Sequence, residues 1–441
     1  MQFPGIPSAA PCPYTPAVMA DSSNAPLTDT TEFIPSPDSL RGLKGLRPLL
    51  FARAMSALSS QVLAVAVGWQ IYALTHSVAA LGLVGLTQFL PMLALVFASG
   101  HVADQFNRQR IVQICQSIEV LAALLMSLAS FTNHLAPAAI YVLVALYGAL
   151  RSFEQPAQQT FLPAIASAAQ FPRAAALSSS LFQAACIIGP SLGGLLYGLG
   201  AGFCYLICGI GFGSALCATS MLRLPRAQTS RSPMSLESVF GGIAFLRRRR
   251  DLLGAISLDL FAVLLGGATA MLPVYASDIL HLGPVGLGIL RSAPGAGALC
   301  ISIYLARHPL KGRCGPIMFL SVAVFGVATI VFGVAHTLWL SVTALAILGA
   351  ADVVSVVVRG ALTQLATPDA MRGRVSAVNM LFIGSSNQLG EFESGMLASL
   401  TGPEAAVVLG GVGTLVVTGV WIALFPRLWH LDRLEDVKPE E

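Results

Sequence analysis

Charge is scarce in this chain. Asp, Glu, Lys and Arg make up only 10% of its 441 residues, against roughly 25% in an ordinary soluble domain, which excludes a water-facing surface over most of the molecule. Chemistry-bearing motifs are scarce too. There is no phosphate loop, no His-Glu-x-x-His and no Gly-x-Ser-x-Gly, so ATP coupling and hydrolysis have no support and the chain reads as no enzyme. The eight cysteines form no Cys-x-x-C pair. Cys204 and Cys208 share a helix face, where small apolar packing is the ordinary role, and no metal, cofactor or disulfide framework is expected. Residues 1–42 are rich in Pro, Ser and Thr and lack a basic start followed by an apolar core. They read as a disordered tail and not as a signal peptide.

What is present is apolar: 55% of the residues are hydrophobic. Window reading gives twelve runs near 49–74, 79–100, 111–131, 137–162, 174–198, 202–222, 252–276, 284–306, 315–335, 337–362, 375–400 and 403–426. Each is about 20 residues, enough to cross a bilayer. An even number of spans puts both termini on one side. All but four of the 25 Lys and Arg residues (Arg53, Arg151, Arg291 and Arg359) lie in the tails or in alternate connections, and none falls in the six opposite ones. Because Lys and Arg are retained on the cytoplasmic side, both termini are expected in the cytoplasm. The net charge of +4 then reflects topology, and no nucleic-acid partner is needed to explain it.

The chain nearly repeats itself. Phe161-Leu-Pro163 through Gly193-Gly194 echoes Gln364 to Pro368 through Ser394-Gly395, and an offset of 201 sets Gly148 over Gly349 and Arg151 over Asp352. The expected organisation is a tail (1–42), a six-span bundle (43–222), a linker (223–250), a second bundle (251–427) and a tail (428–441). Such repeats are typical of secondary transporters, whose halves rock about a midplane site. Within the linker, Leu236, Val239, Phe240 and Ile243 fall on one helical face beside Arg247 to Arg250, which predicts a helix lying in the headgroup region.

Between spans two and three lies Gly100-x-x-x-Asp104-x-x-x-Arg108-x-Arg110, read as a tight polar loop. It resembles the loop signature of the major facilitator superfamily. The fold this implies is an all-α membrane protein of twelve transmembrane helices in two pseudo-symmetric six-helix bundles. The resemblance also implies a cytoplasmic latch in which Asp104 docks on the N-terminal end of span eleven, with Arg108 and Arg110 pairing with acids or lipid phosphates. A turn that only marks topology is the plainer reading. Gly189-Pro190-Ser-Leu-Gly193-Gly194 in span five resembles the core of the superfamily's antiporter signature. Ala176 and Ala185 stand where that signature places further glycines, and close helix packing accounts for the motif equally.

Within the superfamily, Arg151-Ser-Phe-Glu154-Gln-Pro-Ala, Pro368-Asp-Ala-Met-Arg372-Gly-Arg374 and Gly390-Glu391-Phe-Glu393 are similar to the enterobactin-exporter-like branch, the transmembrane secretion effectors. The resemblance implies export of a siderophore or another amphiphilic small molecule by a monomer in a bacterial inner membrane, driven by protons. A multidrug or macrolide exporter shares the scaffold, and a non-transporting membrane sensor or partner subunit is the reading from another class.

Charges inside spans point to the site independently, since each costs about 2.5–3.5 kcal/mol at a helix centre unless it lines a cavity or finds a partner. The set is Arg53, Glu119, Arg151, Glu154, Asp259, Arg291, Asp352, Arg359, Glu391 and Glu393. Asp259 and Asp352 are the preferred proton carriers, with an Arg151–Asp352 ion pair as the competing role for Asp352. Arg151 and Glu154 share a helix face, where local neutralisation and a functional role are both open. Glu391 is favoured over Glu393 to face a cavity, and Arg53 completes the expected pathway.

Overall fold

Apolar runs of this length become helices because a bilayer offers no water to satisfy peptide groups, so each segment must bond its own backbone. The computed structural model describes residues 43, 45–167, 169–222, 236–308 and 312–431. The expected tail at 1–42, the expected tail at 428–441 beyond Leu431 and the front of the linker at 223–235 lie outside the described residues; residues 428 and 429 of that second tail instead end a short helix, with Leu428 packed in the second half's core. In chain order the helices are α1 (Leu46–Thr75), α2 (Val78–Gln105), α3 (Arg108–Phe131), α4 (Pro137–Gln159), α5 (Phe161–Ile165), α6 (Phe171–Gly198), α7 (Ala201–Ser220) and α8 (Leu236–Arg248). There follow α9 (Arg250–Leu265), α10 (Leu272–Val274), α11 (Gly283–Arg307), α12 (Cys314–Gly333), α13 (Leu338–Ala366), α14 (Asp369–Thr401), α15 (Pro403–Leu424) and α16 (Pro426–Trp429). Ten helical stretches among the described residues are long and apolar enough to cross a membrane. The other two long helices, α4 and α14, carry Arg151 with Glu154 and Glu391 with Glu393.

Packing repeats between the halves. α2 lies on α4 as α11 lies on α13, α3 on α7 as α12 on α15, and α1 on α6 as α9 on α14. The repeated glycines explain the first pair of contacts: a Cβ on Gly148 would sit 2.2 Å from the Gln88 carbonyl oxygen, and one on Gly349 would sit 2.0 Å from that of Pro294. Only a residue without a side chain lets the two backbones approach so closely.

The halves do not touch evenly along their length. At the end bearing Phe106 and Asn107, the apolar core divides in two: Leu49, Val112 and Leu162 pack within one half, and Leu252, Phe319 and Val375 within the other. At the opposite end Val65 and Trp69 of α1 pack with Met271, Leu290 and Phe332 in one cluster. Cross-half contacts gather there too. The Tyr72 hydroxyl donates to the Asp278 carboxylate, the Ser191 and Ser292 hydroxyls meet at 2.8 Å, and a Cβ on Gly82 would be 3.0 Å from the Gly395 Cα. The molecule is joined at this far end and divided at the other.

Two sequence expectations need correction. The seventh span is not one helix: α9 stops at Leu265, and a 3-10 turn (Ala268–Met271), α10 and a π turn (Tyr275–Ile279) carry the chain onward. The break lies at Gly266-Gly267, where a Cβ on Gly267 would be 2.4 Å from the Ser394 hydroxyl and 2.6 Å from the Gly390 carbonyl oxygen of α14. Thr414 of α15 donates to the Ala262 carbonyl at 3.1 Å, which also accepts from the Gly266 amide at 2.9 Å, and so ties the last turn of α9 to α15. The segment from Gly100 to Arg110 is mostly helix and not loop. Residues 100–105 finish α2 and Arg108 to Arg110 begin α3, leaving Phe106 and Asn107 between them. Asn107 caps α3, its Oδ1 accepting from the Gln109 and Arg110 amides at 2.9 and 3.3 Å, as short polar residues do at helix starts. The helix expected in the linker is present as α8, which packs on α14 and sinks Leu246, with Ile243 beside it, into the second half's core.

Candidate substrate cavity and buried charges

Between the halves lies a cavity of about 260 Å³. One wall comes from Gln61 of α1, Gln88 of α2 and Tyr147 with Arg151 of α4; the other from Thr269, Arg291 of α11 and Gln388 with Glu391 of α14. Amides, hydroxyls and charges set among apolar groups are what an amphiphilic small molecule needs for orientation and burial together. Arg291 donates through Nη1 to the Ala64 carbonyl across the interface at 3.1 Å and stands within electrostatic reach of Glu391. Gly85 gives that carboxylate room, since a Cβ there would be 2.9 Å from the Glu391 Cβ.

Arg151 faces the cavity from the first half, its guanidinium carbon 5.6 Å from the Tyr147 ring centre. Its acidic neighbours are Glu154 and Glu119, both buried. Glu154 Oε1 accepts from Gln116 Nε2 at 3.2 Å and from Gln158 Nε2 at 2.6 Å. The Arg151–Asp352 pair considered from the repeat is not formed, because Asp352 lines a different cavity.

That second cavity, about 310 Å³, adjoins the first through Thr269 and is lined by Asp352, Gln183, Asn387 and the broken seventh span at Gly266-Gly267. Asp352 is its one charged wall residue among the described residues. No hydrogen bond or ion pair to Asp352 is found among the described residues. Asp259 differs: it forms a buried ion pair with Arg359 of α13, a partner a hundred residues away that sequence spacing did not disclose. Asp259 and Asp352 share a narrow cleft with Ser355, so the pair sits beside the free carboxyl.

The remaining expected residues are placed as follows. Gly189 and Gly193 press on α1, where Cβ atoms would be 2.6 Å from Gln61 and 3.0 Å from Val65; Gly194 presses on α11, 2.4 Å from the Pro284 carbonyl oxygen. Gly288 approaches the Pro190 carbonyl oxygen in return, its Cβ 2.7 Å away. The motif therefore forms part of the cross-half seam. Arg53 is half-buried on α1 and lines neither cavity. The Asp104 side chain lies outside the described residues. Arg110 is exposed, and Arg108 has a partner. Gln109 between them ties α3 to the end of α7, donating to the Thr219 and Leu222 carbonyls at 2.9 and 2.8 Å. Sequence reasoning left Arg291 and Glu119 in the general set of buried charges and missed Tyr147 and Gln388. The signal for Tyr147 was its position one turn before Arg151.

Comparison with known proteins places the fold. The model of a family described as transmembrane secretion effector matches residues 43–440. The enterobactin exporter EntS of Shigella boydii is 26% identical over 396 residues, 89% of this chain and 94% of that protein. EntS of Escherichia coli K12 is 25% identical over 386 residues, 87% and 92% of the two chains. Among solved structures, an inward-facing, occupied bacterial homologue of the human lysosomal transporter Spinster superposes with a TM-score of 0.69 at 14% identity, covering 90% of this chain and 98% of that one. The nucleoside transporter NupG gives 0.64 at 16% identity, over 87% and 99%.

Proposed function

Since the chain belongs to the transmembrane secretion effector family of major facilitator transporters, a family of carriers and not of enzymes, we propose that it exports a siderophore-like or other amphiphilic small molecule in exchange for protons. It is a multi-pass membrane protein. In this reading it works as a monomer of twelve spans in a bacterial inner membrane, with the Phe106–Asn107 end and both termini in the cytoplasm. The observation that carries the reading is the cavity shared by the halves, closed off by cross-half packing at the far end and flanked by separate cores at the other. That is the arrangement of a carrier open to the cytoplasm, ready to load. Its named relatives are exporters of enterobactin, and a cavity offering two guanidiniums suits a substrate with acidic or phenolic oxygens.

Proton exchange is assigned to Asp352. A carboxyl with no ion-pair partner, lining a cavity beside the substrate's, gains and loses a proton without breaking other bonds. Asp259, held by Arg359, is assigned to structure. Substrate binding falls to Arg151, Arg291 and Glu391. Everted vesicles with an imposed pH gradient test this: uptake of candidate siderophores should follow the gradient and stop when it is collapsed. Asp352→Asn should insert normally and lose the gradient-driven part. Uptake indifferent to the gradient would end the antiport reading, and gradient-driven uptake by Asp352→Asn would move the exchange elsewhere.

A further inference from the structure

Behind Arg151, away from the cavity, four oxygen atoms are buried without a hydrogen-bond donor: both of Glu119, Oε2 of Glu154 and Oε1 of Gln116. Glu119 on α3 is 4% exposed, Glu154 on α4 is 1% and Gln116 is 0%. The two carboxyl groups lie within hydrogen-bonding reach of each other. Gln116 is anchored here by its own amide nitrogen on Glu154 Oε1, which holds its bare carbonyl oxygen at the same place. Two ionised carboxylates facing each other in an apolar interior repel strongly, and apart from Glu154 Oε1, which two glutamine amides serve, the oxygens gathered here find no donor. One added proton turns one carboxyl into a donor for the other.

We propose that Glu119 and Glu154 share one bound proton, forming a proton site within the first half that is distinct from the exchanging carboxyl at Asp352. The charged and titratable groups that face it are Arg151 and Tyr147 of α4 and Cys115 of α3. Cys186 of α6 faces Arg151, and α1 and α7 contribute Leu63 and Phe212 to the cleft beside Glu119. A metal cation fits poorly. The cleft is about 10 Å³, room for no more than about one water, and the Arg151 charge opposes a second cation.

The stoichiometry has a consequence for the cavities. With one proton the pair carries a single negative charge, which balances Arg151; Arg291 and Glu391 balance each other. Of the charged residues lining the two cavities, Asp352 is then the one left uncompensated. The site therefore deepens the proton-exchange reading, and rests on it only in this last consequence.

Infrared spectroscopy of the full chain in nanodiscs near neutral pH tests the site without recourse to transport. The wild type should show a protonated-carboxyl stretch that shifts in heavy water. That band should vanish in Glu119→Gln and in Glu154→Gln, since each single variant leaves one carboxylate that Arg151 keeps ionised, and should persist in Asp352→Asn. Each single variant should stay folded, because Gln mimics the protonated partner. The double variant, with Arg151 left unbalanced, should lose more thermal stability than the two single losses together. Absence of the band in the wild type, or its survival in both single variants, would overturn the shared proton whatever the vesicle fluxes show. Loss of gradient-driven flux with the band intact would count against antiport alone.

Discussion

Asp259 shows how far a single residue can be read. Its place inside an apolar run marks it as costly, and with no basic partner in the same span it read as a proton carrier. The structure gives it Arg359. Two buried charges held together contribute little net stability, but removing one strands the other and costs about 3–5 kcal/mol. Asp259→Leu and Arg359→Met should each lower thermal stability sharply in detergent, while the double variant recovers most of the loss. Additive losses would show that the pairing does not govern either residue. Asp352 carries the same cost in the sequence but has no ion-pair partner among the described residues, a difference that no local pattern encodes.

At the scale of elements, helix positions were legible because a bilayer demands long unbroken apolar segments; α3, α6 and α12 fall within three residues of their expected bounds. Two features were not legible, for opposite reasons. Gly266-Gly267 lies inside an apolar run, so hydropathy reads through it, and the break follows from the close approach of α14. Around Asp104 the polar composition suggested a loop, yet polar residues at the membrane surface extend a helix as readily as they end it. The latch assigned to that segment remains a proposal of this element. Asp104→Asn should slow transport in vesicles while leaving substrate affinity unchanged, because a lost helix-dipole contact shifts the closed state by about 0.3–2 kcal/mol. Wild-type rates in this variant would reduce the segment to a marker of topology.

For the molecule as a whole, alternating access requires the joined end to part. Tyr72 and Asp278 meet across that seam, so a short bifunctional thiol reagent joining Tyr72→Cys to Asp278→Cys, with the native cysteines replaced, should arrest flux, and cleaving the linker should restore it. Undiminished flux through the linked protein would contradict movement at this end. The internal repeat, the apolar spans and the family resemblance were all present in the linear chain. They were legible because each is a property of segments: length, periodicity, and residues at fixed separations. Only the tertiary structure decided which buried charges are partnered, where the seventh span breaks, and which end of the cleft is closed. Those outcomes depend on contacts between different helices, from 35 positions apart (Glu119 and Glu154) to 100 and more (Asp259 and Arg359), and such contacts are set by how helices pack, with no trace in the local sequence around either partner.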